Sequence, residues 1–287
     1  MRNLLSALVL STAFFSAPAA MAGTLFIGAD VEDFGYAEGV TTCPTPGCDR
    51  LGKADVTGAV HNSTTIIPTN FLLNGMADAG GVLLTGTPRA NALNTVDFNG
   101  NLISSIAAPG IPNSGCCNEE MLFVPQASGP DKVYHAHYSD VIREIDPATG
   151  VQIGSDFLQS DVVGMALVNG EIWISKWASR QVGIWDPSTN SFDAQAQFNS
   201  TLPTLGNTGA LAFDPLNQIL WVGSQGGLVT PFDLSGNILG PGFRPFGAIS
   251  DTIDGLTFLG EVTPVPEAGT LVLLTLGLLG LGGLRRR

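Results

Sequence analysis

One short pattern recurs five times along the chain at a nearly constant step. It reads Gly75-Met76-Ala77, Glu120-Met121-Leu122-Phe123, Gly164-Met165-Ala166-Leu167, Leu211-Ala212-Phe213 and Gly255-Leu256-Thr257-Phe258. Anchored on Met76, Met121, Met165, Leu211 and Leu256, the steps are 45, 44, 46 and 45 residues. A fixed period of this size means a unit that cannot bury its apolar face alone and must stack on its neighbours. An open sandwich of strands has no reason to keep such a period.

The unit can be read strand by strand. Each of the first four anchors is followed by a second apolar run: Val82-Leu83-Leu84, Val133-Tyr134-His135, Ile172-Trp173-Ile174 and Leu220-Trp221-Val222. A third strand then ends in a turn, at Asp97 to Gly100, Asp146 to Gly150, Asp186 to Asn190 and Asp233 to Gly236. In each turn Asp caps the backbone and Gly or Asn takes the positive φ. A fourth strand leads out. With 36 Gly, 18 Pro and aromatics at 8%, short strands and tight turns are favoured over long helices. Four strands per unit of about 45 residues is the signature of a β-propeller blade.

The fifth anchor, Leu256, has no second, third or fourth strand behind it. Those strands are expected at the other end of the chain: Thr24 to Gly28 as the second, a third ending in the turn Asp55 to Gly58, and Ser63 to Ile67 as the fourth. The fold class is therefore all-β, a five-bladed propeller over residues 23–260 in which residues 253–260 close the ring. Closure removes the exposed sheet edges of an open array. The units resemble the YVTN and NHL propeller repeats over residues 24–260, although no blade carries a name-giving tetrad. The resemblance implies a fold and not an activity.

Both ends carry processing signals. Arg2 precedes the apolar run Leu4 to Phe15, and Ala20-Met21-Ala22 supplies the small residues that signal peptidase requires, so residues 1–22 are a signal peptide and Gly23 is the mature start. The run is too short to span roughly 30 Å of hydrocarbon. At the other end Thr263-Pro264-Val265-Pro266-Glu267-Ala268 leads into an uncharged membrane span at about residues 269–284, followed by Arg285, Arg286 and Arg287. Residues 263–287 resemble the PEP-CTERM sorting signal of Gram-negative bacteria, with Ala268 where the motif's second Pro stands. The resemblance implies that Pro266, Glu267 and the basic tail are read by an exosortase. It also implies transient inner-membrane insertion, cleavage near Pro266-Glu267, and release to the cell surface or an extracellular polymer. The triple Arg holds its end in the cytoplasm.

The formal charge of −13 repels phosphate backbones, which disfavours nucleic acid as a partner. Loss of Arg2 and the three terminal Arg leaves 8 basic against 25 acidic residues, a mature charge of −17. Much of this acid is expected on one face of the ring, where the loops enter the first strands. Glu119, Glu120, Asp161 and Asp254 are expected to approach the channel mouth there. So are Asp30, Glu32, Asp33, Glu38 and Asp49 of the long loop in the closing blade, together with Asp140 and Asp251. Converging carboxylates suit Ca²⁺; a solvated acidic surface, with no cofactor, is the preferred reading, because no Asp-x-Asp-x-Asp-Gly loop is present.

Cys43, Cys48, Cys116 and Cys117 fall on the same face, and export oxidises them. Cys43 to Cys48 is the favoured bridge, with Cys116 and Cys117 either bridged to each other or free. Neither spacing is the Cys-x-x-Cys of zinc sites. His135 and His137 point to one side of a strand and can bind a transition metal, but His135 aligns with Ile27, Leu84, Ile174 and Val222, which makes it a core position.

The favoured function is a non-catalytic binding or scaffold module engaging a polysaccharide or another surface protein. The alternative is an extracellular carbohydrate-active hydrolase or lyase. Glycoside-hydrolysing five-bladed propellers place acid and base on the channel axis. Glu120 and Asp254 come nearest to such a pair, while the other blades offer only Asn74, Val163 and Gly209 thereabouts.

Overall fold

The computed structural model describes residues 20–30, 50–67, 69, 74–87, 91–111, 118–137, 140–201, 206–247 and 252–260. The signal peptide core, the sorting signal with its membrane span, and all four cysteines lie outside these residues.

The chain opens with β1 (Ala22–Asp30), β2 (Arg50–Thr57) and β3 (Val60–Ile67), which belong to the closing blade. The first full blade is β4 (Asn74–Asp78), β5 (Leu83–Thr87), β6 (Ala92–Val96) and β7 (Leu102–Ala107). The second is β8 (Asn118–Val124), β9 (Lys132–His137), β10 (Val141–Ile145) and β11 (Gln152–Leu158). The third is β12 (Val162–Val168), β13 (Glu171–Lys176), β14 (Gln181–Asp186) and β15 (Ser191–Ala194), after which comes a short helix, α1 (Ala196–Thr201). The fourth is β16 (Thr208–Asp214), β17 (Ile219–Ser224) and β18 (Leu228–Phe232), and β19 (Thr252–Gly260) returns to the start. The sheet order β19-β1-β2-β3 completes the fifth blade from both ends of the chain. Leu25 lies opposite Phe258 and Ile27 opposite Leu256 in that closing ladder.

The fourth blade departs from the four-strand expectation. Its outermost position is held by two isolated bridges, Val229 with Phe243 and Phe232 with Ile238, rather than by a strand. The segment between them contains Gly240-Pro241-Gly242. Proline donates no ladder hydrogen bond, and glycine supplies no side chain to pack, so regular pairing stops there.

The core is five interfaces rather than one centre. Phe26 and Leu51 of the closing blade meet Met76, Leu83 and Val96 of the first. Ala77 and Leu84 then meet Met121 and Val133, and Leu122 and Tyr134 meet Met165 and Ile174. Trp173 and Val182 meet Leu211 and Phe232, with Phe198 of α1 added. Trp221 and Val229 meet Leu25 and Val56, which closes the circle. Burying a large apolar side chain contributes about 1.5–3 kcal/mol, and because each interface needs both its blades, the ring is stable only as a ring.

The third-strand turns form as the sequence requires. The Oδ1 atoms of Asp97, Asp146, Asp186 and Asp233 accept the backbone N–H two residues on, at 2.8, 2.8, 2.8 and 2.9 Å. The side chain of Asn101 at Asp97, the Ala148 amide and Thr149 hydroxyl at Asp146, and the Ser188 hydroxyl at Asp186 hold these carboxyls below the usual carboxylate range, and at Asp233 burial pushes up but the bonds from Asn237 and its neighbours outweigh it. Gly100, Gly150, Asn190 and Gly236 take the positive φ.

Candidate functional site

The five inner strands, β4, β8, β12, β16 and β19, line the ring axis. Just before each anchor stands one residue: Gly75, Glu120, Gly164, Ala210 and Gly255. Four are small, and the fifth is a glutamate. Its side chain fills the space the others leave and is fully buried. Oε1 accepts the N–H of Met76 and of Met121, both at 3.0 Å, and Oε2 accepts that of Leu256 at 3.4 Å. The Leu211 amide also pulls on this carboxyl. Burial pushes the Glu120 carboxyl well up, and the converging amides pull it part of the way back.

Glycine is required beside it. Gly75 has φ +62°, and an added Cβ would lie 2.9 Å from the Glu120 backbone. One carboxylate thus ties the first, second and fifth blades together at the axis.

Of the acids expected at the channel mouth, Glu120 sits enclosed on the axis. The side chain of Glu119 is outside the described residues. Asp161 is engaged by the turn between β13 and β14. Its Oδ2 accepts the amides of Ala178 at 2.6 Å and Ser179 at 3.2 Å, and its own N–H donates to Asp140 Oδ1 at 3.0 Å. Asp254 is buried within β19. Among the described residues no three His, Cys, Asp or Glu side chains gather where they could hold a metal ion. Of the candidates for Ca²⁺, Glu120, Asp161 and Asp254 therefore do not form one cluster, and the acidic loop residues 31–49 and Asp251 lie outside the description.

His135 is buried to 0% exposure, as its alignment with the Ile27 column requires. Among the described residues neither ring nitrogen has a hydrogen-bond partner. Burial, with the charges of His137 and Arg143 adding to it, pulls its pKa down to about 3, so the ring is neutral at any ordinary pH.

Beneath the Glu120 plug the axis opens at the other face. A cavity of about 130 Å³ is walled by the anchors, with Asp78, Phe123, Phe213 and Phe258 toward its mouth. Two residues past each anchor the blades carry Asp78, Phe123, Leu167, Phe213 and Phe258. Asp78 is the odd member of that column, as Glu120 is of the earlier one. Its Oδ1 accepts the amides of Gly80 at 3.0 Å and Gly81 at 3.4 Å, and partial burial raises its carboxyl. It also lines a second, larger cleft between the closing blade and the first blade, of about 400 Å³, with Lys53, Phe26 and Phe98. The sequence reading passed over this face; the signal was an acid in a column of Phe and Leu.

Comparison with known proteins gives two kinds of finding. No curated protein matches the sequence. Among solved structures, the crystal structure of Myxococcus xanthus glutaminyl cyclase is similar with a TM-score of 0.46 at 14% identity, covering 75% of this chain and 84% of that one. A nidogen/laminin complex is similar with a TM-score of 0.49 at 11% identity, covering 83% and 98%. Residues 264–287 match the family model of the PEP-CTERM protein-sorting motif. The chain is therefore an exported protein, a five-bladed β-propeller followed by a PEP-CTERM motif, with an exosortase as its processing partner.

Proposed function

We propose that the mature propeller is a non-catalytic binding module, released at the surface of a Gram-negative cell or into its extracellular polymer, where it engages a polysaccharide or another surface protein. The observation that carries this reading is the use made of Glu120. A general acid must exchange its proton with substrate at hydrogen-bond distance, and this carboxylate is fully enclosed with both oxygens on backbone amides. Asp78, at the open end, is half-buried at the edge of two cavities, a setting suited to holding a ligand. The mature charge of −17 keeps the protein soluble outside the cell and directs it to neutral or cationic partners.

The test is to incubate mature protein, residues 23–262, with an array of neutral and acidic bacterial polysaccharides, scoring both retention and release of new reducing or unsaturated ends. Retention without new ends is expected. Turnover of any polymer that is lost on Asp78→Asn or Glu120→Gln would replace the binding reading with the hydrolase or lyase alternative.

A further inference from the structure

The cleft between the closing blade and the first blade holds two charges that do not meet. Lys53 sits on β2 opposite Phe26 of β1, half-buried. The chain has three lysines. Lys132 pairs with Glu144 at 2.9 Å, and Lys176 bonds Gln159 at 3.4 Å and lies 4.6 Å over the Phe192 ring. Among the described residues Lys53 makes no such contact, although it lines a cleft that Asp78 also lines. Asp78 uses Oδ1 on the Gly80 and Gly81 amides, and among the described residues its Oδ2 has no hydrogen bond. The rest of the lining is Phe26, Phe98 and Leu259 with Thr24 and Gly81, and Phe26 and Phe98 stack at 5.3 Å between centroids.

Each half-buried charge without a partner carries a desolvation cost. An anionic ligand would satisfy Lys53 and be repelled by Asp78 and by the net charge; a cationic one would meet the reverse. A ligand bearing both charges on an apolar body satisfies both groups and covers the partly exposed Phe98 and Leu259. A cleft of about 400 Å³ accommodates such a molecule.

We infer that this cleft is a small-molecule site for a zwitterion with an apolar body, of which an apolar α-amino acid is the simplest form. Its carboxylate pairs with Lys53, its ammonium with Asp78 Oδ2, and its side chain lies against Phe98 and Leu259. The site shares Asp78 with the axial cavity but lies between the closing and first blades, and it goes beyond the proposed binding function by naming a small-molecule ligand.

The test is calorimetric titration of the mature protein with L-phenylalanine, L-phenylalanine amide and N-acetyl-L-phenylalanine, repeated on Lys53→Met and Asp78→Asn. The free amino acid is expected to bind, and each blocked analogue to bind at least about tenfold more weakly, because each leaves one half-buried charge unpaired. Lys53→Met is expected to erase the preference for carboxylate over amide while leaving the preference for a free ammonium. Asp78→Asn is expected to do the converse, and Asn preserves the turn because its side-chain oxygen still accepts the two glycine amides. Should Asp78→Asn fail to fold, Lys53→Met on the strand surface decides alone. Absence of binding up to about 10 mM, equal affinity for all three compounds, or unchanged selectivity in the variants would each overturn the assignment.

Discussion

Glu120→Ala tests the axial tie most sharply. The substitution removes the acceptor for the amides of Met76, Met121 and Leu256, which the structure places at 3.0, 3.0 and 3.4 Å from its oxygens. Each buried amide left without an acceptor costs about 1–3 kcal/mol. Against this, relief of a buried carboxylate returns a few kcal/mol. The balance is a loss of about 2–4 kcal/mol, and at about 2–4 °C per kcal/mol for a domain of this size the melting temperature falls by roughly 5–15 °C. Glu120→Gln keeps one carbonyl oxygen and turns an amide donor toward the remaining backbone N–H, so it is expected to fall between the alanine variant and the wild type. The pH dependence carries a sign. Because burial raises the native carboxyl, the native state holds this proton more tightly than the unfolded chain. The stability so contributed is fully present below about pH 4.3 and is lost as pH rises through the raised value. Glu120→Gln removes that slope. Scanning calorimetry of the three proteins from pH 4 to 9 is the assay, and an alanine variant that melts with the wild type throughout would show that the amides are held by something other than this carboxylate.

Three further outcomes follow from the same geometry. His135→Leu is expected to flatten the acid limb of stability: the native imidazole is held down to about 3 while the unfolded one titrates near 6.5, so stability present above 6.5 is lost as pH falls toward 3, and urea titrations at pH 7 and 4 measure the change. Gly75→Ala is expected to cost about 1–3 kcal/mol in the same titration, because φ is +62° and the new Cβ meets the Glu120 backbone. Intact-mass measurement of secreted material from a host with its exosortase is expected to give a species beginning at Gly23 and ending near Pro266-Glu267; a mature species that retains Arg287 contradicts the processing.

Much of the architecture was legible because the repeat period, the Asp-capped turns and the split closing blade are local signals that the fold obeys. The bridge-only edge of the fourth blade was readable too, from Pro241 between two glycines. Phe198 was not. A six-residue helix has no periodic pattern, and its packing against Trp173 and Phe232 depends on two blades meeting. The site was legible only as exceptions. Glu120 among small residues and Asp78 among Phe and Leu are visible once the columns are aligned, whereas grouping acids by loop placed Glu120, Asp161 and Asp254 together. Glu120 is taken up by backbone amides on the axis and Asp161 by the turn between β13 and β14.

The account rests on a ring closed by the last strand. Hydrogen exchange of the mature protein, followed by mass spectrometry, reads this directly. Residues 252–260 form the inner strand of the closing blade, with Ile253, Leu256 and Phe258 buried. Their amides are expected to exchange as slowly as those of β12, the inner strand of the third blade, and to lose protection together with it in Glu120→Ala. Exchange of residues 252–260 at the rate of a free peptide while β12 stays protected would mean that the ring is open and that the five-bladed closure is wrong.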